Sequence, residues 1–209
     1  MRLRHKISYL LTVIGFIAIF IAIPNRIDSS ANFLRQILIP KDGRIIRALF
    51  TPQDDVRQTI IALINSEQKS IQIATYFFTD VTIANAIIHA KNKNDIKVSI
   101  IVDPSHVLKC PHTQIYRLYK ARIPVNVFKI PNENGIFHHK FMRFEQNIYN
   151  KTLLLTGSFN LTKMAQENNW ENVLITDDLD ISAQYSKQFA TLKTKSIPLE
   201  QFIKKHRIK

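Results

Sequence analysis

From Arg44 onward the apolar residues of this chain fall into short runs that alternate between two periods. Residues 45–50, 70–78, 98–102, 123–128, 152–156 and 172–176 are compact apolar stretches bounded by polar or turn-forming residues, the mark of strands. Between them, apolar positions recur at helical spacing. Val56, Ile60, Ile61, Leu63 and Ile64 form one such face, and Ile83, Ala84, Ala86, Ile87 and Ala90 another. Thr51-Pro52-Gln53-Asp54 predicts a helix start with proline early in the turn, and further helices are expected over residues 113–121, 161–166 and 178–192. The run 98–102 is apolar throughout, as in a strand covered on both faces, and residues 103–105 read as the turn that ends it. Strand and helix in alternation predict an α/β fold, a sheet with helices packed outside it.

One further segment departs from this regular pattern. Apolar Ile136, Phe137, Phe141, Met142 and Phe144 predict an extended strand through His138, His139 and Lys140. Side chains two apart on a strand share a face, so His138 and Lys140 point one way and His139, assigned a structural role, the other. The next apolar run ends at Gly157-Ser158-Phe159-Asn160, where a glycine followed by small polar residues marks a strand turning into something else. If the two strands pair, Ser158 and Asn160 arrive near His138 and Lys140. An imidazole, an ammonium, a hydroxyl and an amide then converge, a donor set suited to a tetrahedral anion such as a phosphodiester. Each residue alone has an ordinary role: surface histidine, solvated lysine, turn serine, helix-capping asparagine.

Together, His138-x-Lys140, the acidic Glu145 and Gly157-Ser158-x-Asn160 resemble the signature of the phospholipase D superfamily. The likeness is greatest to its small members with one motif per chain, the bacterial periplasmic endonucleases and the mitochondrial phospholipase D-like proteins. Glu171, thirteen residues beyond Ser158, stands where those relatives carry a glutamate. The stretches IQIATYFFTD and IANAIIHAKNKNDIKVSIIVD look like the half of such a domain that precedes the motif, which extends the resemblance over residues 44–192. The fold it implies is a mixed β-sheet flanked by helices on both faces, here preceded by an N-terminal hydrophobic helix. Two features depart from the family pattern. The acidic position is Glu145 rather than aspartate. Eleven residues separate it from Gly157, which predicts a longer hairpin turn through residues 146–150 at the edge of the site.

The resemblance also implies a mechanism. Such enzymes use two motifs per active site, so a single-motif chain is expected to form a homodimer with a shared site. His138 of one subunit attacks phosphorus and His138 of the other protonates the leaving oxygen, with no metal or other cofactor. Lys140, Ser158 and Asn160 are the expected substrate-binding residues, Glu171 is expected to orient His138, and Glu145 completes the candidate catalytic set. An imidazole with an unperturbed pKa of about 6.5 suits both halves of that exchange. The expected activity is a phosphodiesterase, foremost an endonuclease acting on DNA or RNA. A phospholipase D acting on membrane lipids is the alternative, and a non-catalytic binding module the second.

Charge and targeting narrow the setting. In 209 residues, 29 Lys and Arg against 16 Asp and Glu leave a net charge of +13, which favours polyanionic partners, nucleic acid or anionic phospholipid. The single Cys110 cannot form an intramolecular disulfide or a multi-cysteine zinc site. Residues 1–24 join a basic start, Arg2, Arg4 and Lys6, to an uncharged apolar run of seventeen residues ended by Pro24. That reads as a signal anchor or a cleaved signal, so the chain is expected to be exported, held at the inner membrane facing the periplasm or released. Residues 25–43 read as a connector with a short helix near 31–39, residues 44–195 as the catalytic domain, and residues 196–209 as a basic C-terminal tail, frayed over residues 204–209.

Overall fold

The computed structural model describes residues 29–94, 96–131 and 134–207. Its centre is one sheet of eight strands: β1 (Ile46–Phe50), β2 (Ser70–Thr75), β3 (Lys97–Val102), β4 (Val125–Phe128), β5 (Lys140–Phe144), β6 (Leu153–Gly157), β7 (Asn172–Thr176) and β8 (Ser196–Pro198). Their order is β1-β7-β6-β5-β2-β3-β4-β8. β2, β3 and β4 run parallel, while β5, β6, β7, β1 and the outermost β8 pair antiparallel. The helices are α1 (Ser29–Ile37), α2 (Val56–Ser66), α3 (Val81–Asn94), α4 (Pro104–Lys109), α5 (Ile115–Lys120), α6 (Lys163–Glu167), α7 (Leu179–Thr194) and α8 (Leu199–His206).

Sheet alternation divides the core in two. Ile71, Ile73, Met142, Phe144, Leu153, Leu155, Val173 and Ile175 face one way and pack under α1, α2, α3 and α5. Their neighbours in sequence, Ala74, Phe141 and Leu154, face the other way, where Phe189 and Leu192 of α7 cover them. Residues 98–102 are covered on both sides as expected, with Ile100 in one cluster and Ile101 in the other.

Several boundaries differ from the sequence expectation, and capping explains most of them. α2 begins at Val56 rather than at Thr51-Pro52, because the Asp55 carboxylate accepts from the Gln58 N–H (2.8 Å) and starts the helix there. The turn expected at residues 103–105 is the first turn of α4, capped by Asp103 with Pro104 following. β2 ends at Thr75, not 78, since the next backbone groups are taken by loops: Leu161 N–H donates to Phe77 O (3.1 Å) and Gln114 N–H to Phe78 O (3.0 Å). The Phe78 N–H donates to Nε2 of fully buried His106 (3.0 Å), and burial lowers that imidazole to about 4.

Two expectations are corrected outright. Residues 196–207 are part of the domain rather than a tail beyond it: β8 extends the sheet beside β4, and α8, which runs to His206, places Leu199 and Phe202 in the core. The hairpin through residues 146–150 lies at the end of β5 remote from His138. Asn147 and Ile148 are buried there against α2, so the extra length packs the domain rather than edging the site. The connector does contain its short helix, α1, anchored by Leu34. The apolar run of residues 1–24 lies outside the described residues; among those described, no helix is long and apolar enough to cross a membrane.

Candidate active site

One end of the sheet collects six strand ends. It is the end where the parallel strands β2 and β3 finish, the place where open α/β sheets hold ligands. β5 starts there, β6 finishes there, β7 starts there and β1 finishes there. The register pairs Phe141 with Thr156, and this antiparallel pairing carries the glycine turn after β6 up to the residues before β5. His138, Lys140, Gly157, Ser158, Asn160, Glu171 and Asn172 line a single open cleft of about 540 Å³.

The strand predicted through His138 is shorter than expected. β5 begins at Lys140, opposite Thr75, the last residue of β2, and residues 135–139 approach without ladder pairing. Their position is fixed by another device. Asp103, buried at the end of β3, accepts from the Phe137 N–H (2.7 Å) while also capping α4 through Ser105 N–H (2.7 Å). Tyr76, just beyond β2, completes the seat. Its ring meets the His138 imidazole edge-on at 4.9 Å, and Lys140 Nζ stands 5.4 Å from its centroid, a cation–π contact. His139 points the other way, as expected, between the rings of Phe137 (5.2 Å) and Phe141 (5.8 Å).

Across the cleft, Gly157 is required by space. A Cβ there would lie 2.1 Å from the Asn172 carbonyl oxygen, the same oxygen that accepts from the Ser158 N–H at 3.0 Å. Ser158 Oγ donates to Glu171 Oε2 and accepts from the Asn172 N–H (3.0 Å), while Asn169 Nδ2 donates to Glu171 Oε1 (3.0 Å). Thr51 clamps this loop: its Oγ1 accepts from Glu171 N–H (3.0 Å) and donates to Asn169 O (2.9 Å), and its N–H donates to Glu171 O (3.1 Å). The loop bearing Asn160 is tied to the segment that follows β2, since Thr79 and Asp80 N–H both donate to Leu161 O. Asn160 Oδ1 is buried with no hydrogen-bond partner among the described residues.

Electrostatics distinguish the two acidic candidates. Burial lowers the Lys140 pKa, an effect opposed by the Glu171 carboxylate beside it. Glu145 is elsewhere, at the far end of β5. The hydrogen bond from Arg143 holds its carboxyl below the usual range, and Lys69 stands 3.4 Å away. Thus the fold gathers His138, Lys140, Ser158, Asn160 and Glu171 and leaves Glu145 out. It adds Tyr76, Thr51, Asn172 and Asp103, none of which a motif spacing marks, because their positions depend on which strand ends meet. Among the described residues no group of His, Cys, Asp and Glu is arranged to hold a metal ion.

A mixed sheet that brings histidine, lysine, asparagine and a serine–glutamate pair to one open polar cleft defines a phosphodiester-handling α/β protein. Comparison with known proteins places it further: residues 60–193 match the family described as cardiolipin synthase, PLD-like domain, and the chain belongs to this phospholipase D-like family. A phospholipase D of Rickettsia conorii is 32% identical over 148 residues, covering 71% of this chain and 69% of the relative. A mitochondrial cardiolipin hydrolase of Xenopus laevis is 30% identical over 139 residues, covering 66% and 61%. Among solved structures, NucT from Helicobacter pylori is 27% identical with a TM-score of 0.67, covering 74% of this chain and 99% of that one. Nuc from Salmonella typhimurium, at 21% identity and a TM-score of 0.63 over 74% and 97%, shares the fold. The chain is a hydrolytic phosphodiesterase of the phospholipase D superfamily.

Proposed function

We propose that the protein is an endonuclease that hydrolyses DNA or RNA through a phosphohistidine on His138. The observation that carries this reading is the cleft's lining. Every residue lining it is polar or glycine, and Lys140 and Asn160 offer donors to phosphate oxygens. A net charge of +13 supplies the sequence-independent attraction to a polyanion that such an enzyme uses.

In the proposed reaction a ring nitrogen of His138 attacks phosphorus, forming a P–N bond as the P–O bond to the leaving sugar breaks. A second imidazole gives that oxygen its proton, then takes one from the water that cleaves the P–N bond. Lys140 and Asn160 hold the non-bridging oxygens as charge builds on them. One chain contributes a single cleft histidine, and its imidazole makes no hydrogen bond among the described residues, while Glu171 is occupied by Ser158 and Asn169. A second copy, related by a two-fold axis, would supply both the other imidazole and the carboxylate that orients the first. The N-terminal apolar run would export the chain and hold it at a membrane, or be cleaved.

Phospholipid hydrolysis is the second reading, supported by relatives named phospholipase D and cardiolipin hydrolase. One experiment separates the two. The protein and its His138→Ala variant are incubated in chelator with single-stranded DNA, RNA, duplex DNA and phosphatidylglycerol–cardiolipin liposomes, with sedimentation alongside. Nucleic-acid cleavage falling by about 10⁴-fold or more in the variant is the expected result. Headgroup release alone would move the assignment to lipid, and a fully active monomer would rule out the shared site.

A further inference from the structure

His138 borders two cavities. On the side away from Lys140 lies a second one of about 510 Å³, lined by Phe128, Ile136, Phe137, His138, His139 and a stripe of α7. That stripe is Gln188, Thr191, Leu192 and Lys195, residues that helical spacing puts on one face. We infer that this groove is a nucleoside subsite, which seats the base and sugar next to the scissile phosphate and thereby sets the enzyme's preference for a single, unpaired strand. The inference rests on the endonuclease reading above and deepens it.

Three features carry it. The first is continuity: the groove and the catalytic cleft both border His138, so whatever fills the groove lies next to the phosphorus that His138 attacks. The second is the kind of wall. Half-buried Phe128 packs on buried Phe137, centroids 4.9 Å apart with planes tilted by 34°, and half-buried His139 also packs against Phe137, so the accessible parts of Phe128 and His139 give the groove aromatic contacts for a planar ring. The third is the supply of free donors. Lys195 makes no ion pair and Gln188 no side-chain hydrogen bond among the described residues, yet both are exposed on the rim. The backbone at Lys195 is fixed, since its carbonyl accepts from the Lys129 N–H (2.9 Å) and its N–H caps α7.

This combination of aromatic wall, amide and ammonium matches a nucleotide: a π-face, a hydrogen-bonding edge and an adjacent phosphate. An acyl chain would be poorly served, because Gln188, Thr191, Lys195 and His139 interrupt the apolar lining. The volume falls within the roughly 300–1,000 Å³ of small-molecule pockets, ample for one nucleoside and short for the paired chains of a lipid. A base buried there has left its stack, so a paired base in a duplex would first have to be extruded.

The test compares the full-length protein with a Gln188→Ala/Lys195→Gln double variant, and with Lys187→Gln, a control that removes the same charge outside the groove. Substrates are a single-stranded oligodeoxynucleotide, the same strand with an abasic residue walked past the cleavage position, a duplex, and methyl 4-nitrophenyl phosphate, which has no nucleoside. The double variant should lose about tenfold in kcat/KM on the single strand, chiefly through KM, and several-fold less on the methyl ester. One abasic position beside the cut should reproduce that loss in the parent and add nothing further in the variant. Equal losses on both substrates, no dependence on the abasic position, or the same loss in Lys187→Gln would overturn the subsite. Hydrolysis of the methyl ester with no cleavage of any nucleic acid would overturn the endonuclease reading and the subsite together. Cleavage of nucleic acid indifferent to the double substitution would overturn the subsite alone.

Discussion

The two ends of β5 carry polar clusters of similar composition and opposite character. At the remote end, buried Glu67 accepts from the backbone N–H groups of Lys69 (3.0 Å), Ser70 (2.9 Å) and Gln146 (2.9 Å) through one oxygen. Its other oxygen accepts from Asn147 Nδ2 (3.1 Å), which also donates to Leu63 O (2.9 Å). Arg143 donates to Glu145 and to Ser182 of α7, so the charged groups of this end are paired within the chain, although Ser66 Oγ and Gln72 Oε1 are buried nearby with no hydrogen-bond partner among the described residues. At the cleft end the imidazole of His138 meets an aromatic edge and makes no hydrogen bond among the described residues, Lys140 Nζ hydrogen-bonds only the His138 carbonyl (3.3 Å) beside its contact with the Tyr76 ring, and Asn160 Oδ1 has no hydrogen-bond partner among the described residues. Polar groups that close on one another hold a fold, while groups held rigidly with bonding capacity to spare are ready for a ligand.

The contrast can be broken from either side. The largest effect is expected at the cleft, in Lys140→Ala. Losing the ammonium that faces developing phosphate charge should reduce kcat by about 10²–10³-fold, the scale for one preorganised donor, with the thermal midpoint unchanged within a degree or two. Steady-state rates on an oligonucleotide, beside a thermal melt of the same preparation, check both halves. A comparable loss of stability would mean that Lys140 belongs to the internally paired class.

Glu67→Ala should do the reverse. The substitution strips the N–H groups of Lys69, Ser70 and Gln146 and the Asn147 amide of an acceptor inside the protein, at a cost of about 3 kcal/mol. The variant should unfold at markedly lower denaturant while its folded fraction keeps the parent's kcat. A rate that fell with the rest of the cleft intact would show that the two ends are coupled along β5.

This division also explains how far the sequence could be read. The alternation of Lys140, Met142 and Phe144 against Phe141 and Arg143 was legible because strand period is local, and so were the convergence of the motif residues and the outward turn of His139. The position of Glu145 was not. It sits five residues from Lys140 on a strand, which takes it some 16 Å away along the sheet, yet motif spacing alone does not say that only one end of that strand is catalytic. Tyr76 and Thr51 were equally hidden, because each acts where its own strand ends beside a segment distant in sequence. The C-terminal strand was missed for a simpler reason: residues 196–198 are too few to show a period, and they pair with β4, a strand about seventy residues earlier in the chain.

The smallest expected effect concerns Glu145 itself. Its carboxylate lies between Arg143 and Lys69, partly exposed, and its lowered pKa comes first from the Arg143 hydrogen bond. A carboxyl held below its unfolded value contributes stability that is present above about pH 4.5 and lost as pH falls through the lowered pKa. Partial exposure keeps that contribution to about 1 kcal/mol or less. Shortening the side chain in Glu145→Asp should therefore trim the acid-sensitive part of stability by a few tenths of a kcal/mol and leave the kcat of the folded enzyme untouched. Glu145→Gln should abolish that acid-sensitive increment while keeping the size of the side chain. Chemical denaturation of the three proteins at pH 7 and pH 3.5, with rates measured at pH 7, separates the outcomes. If Glu145→Asp instead raised kcat several-fold, the remote end would be tuning the cleft, and the internally paired cluster would have to be counted as part of the catalytic apparatus.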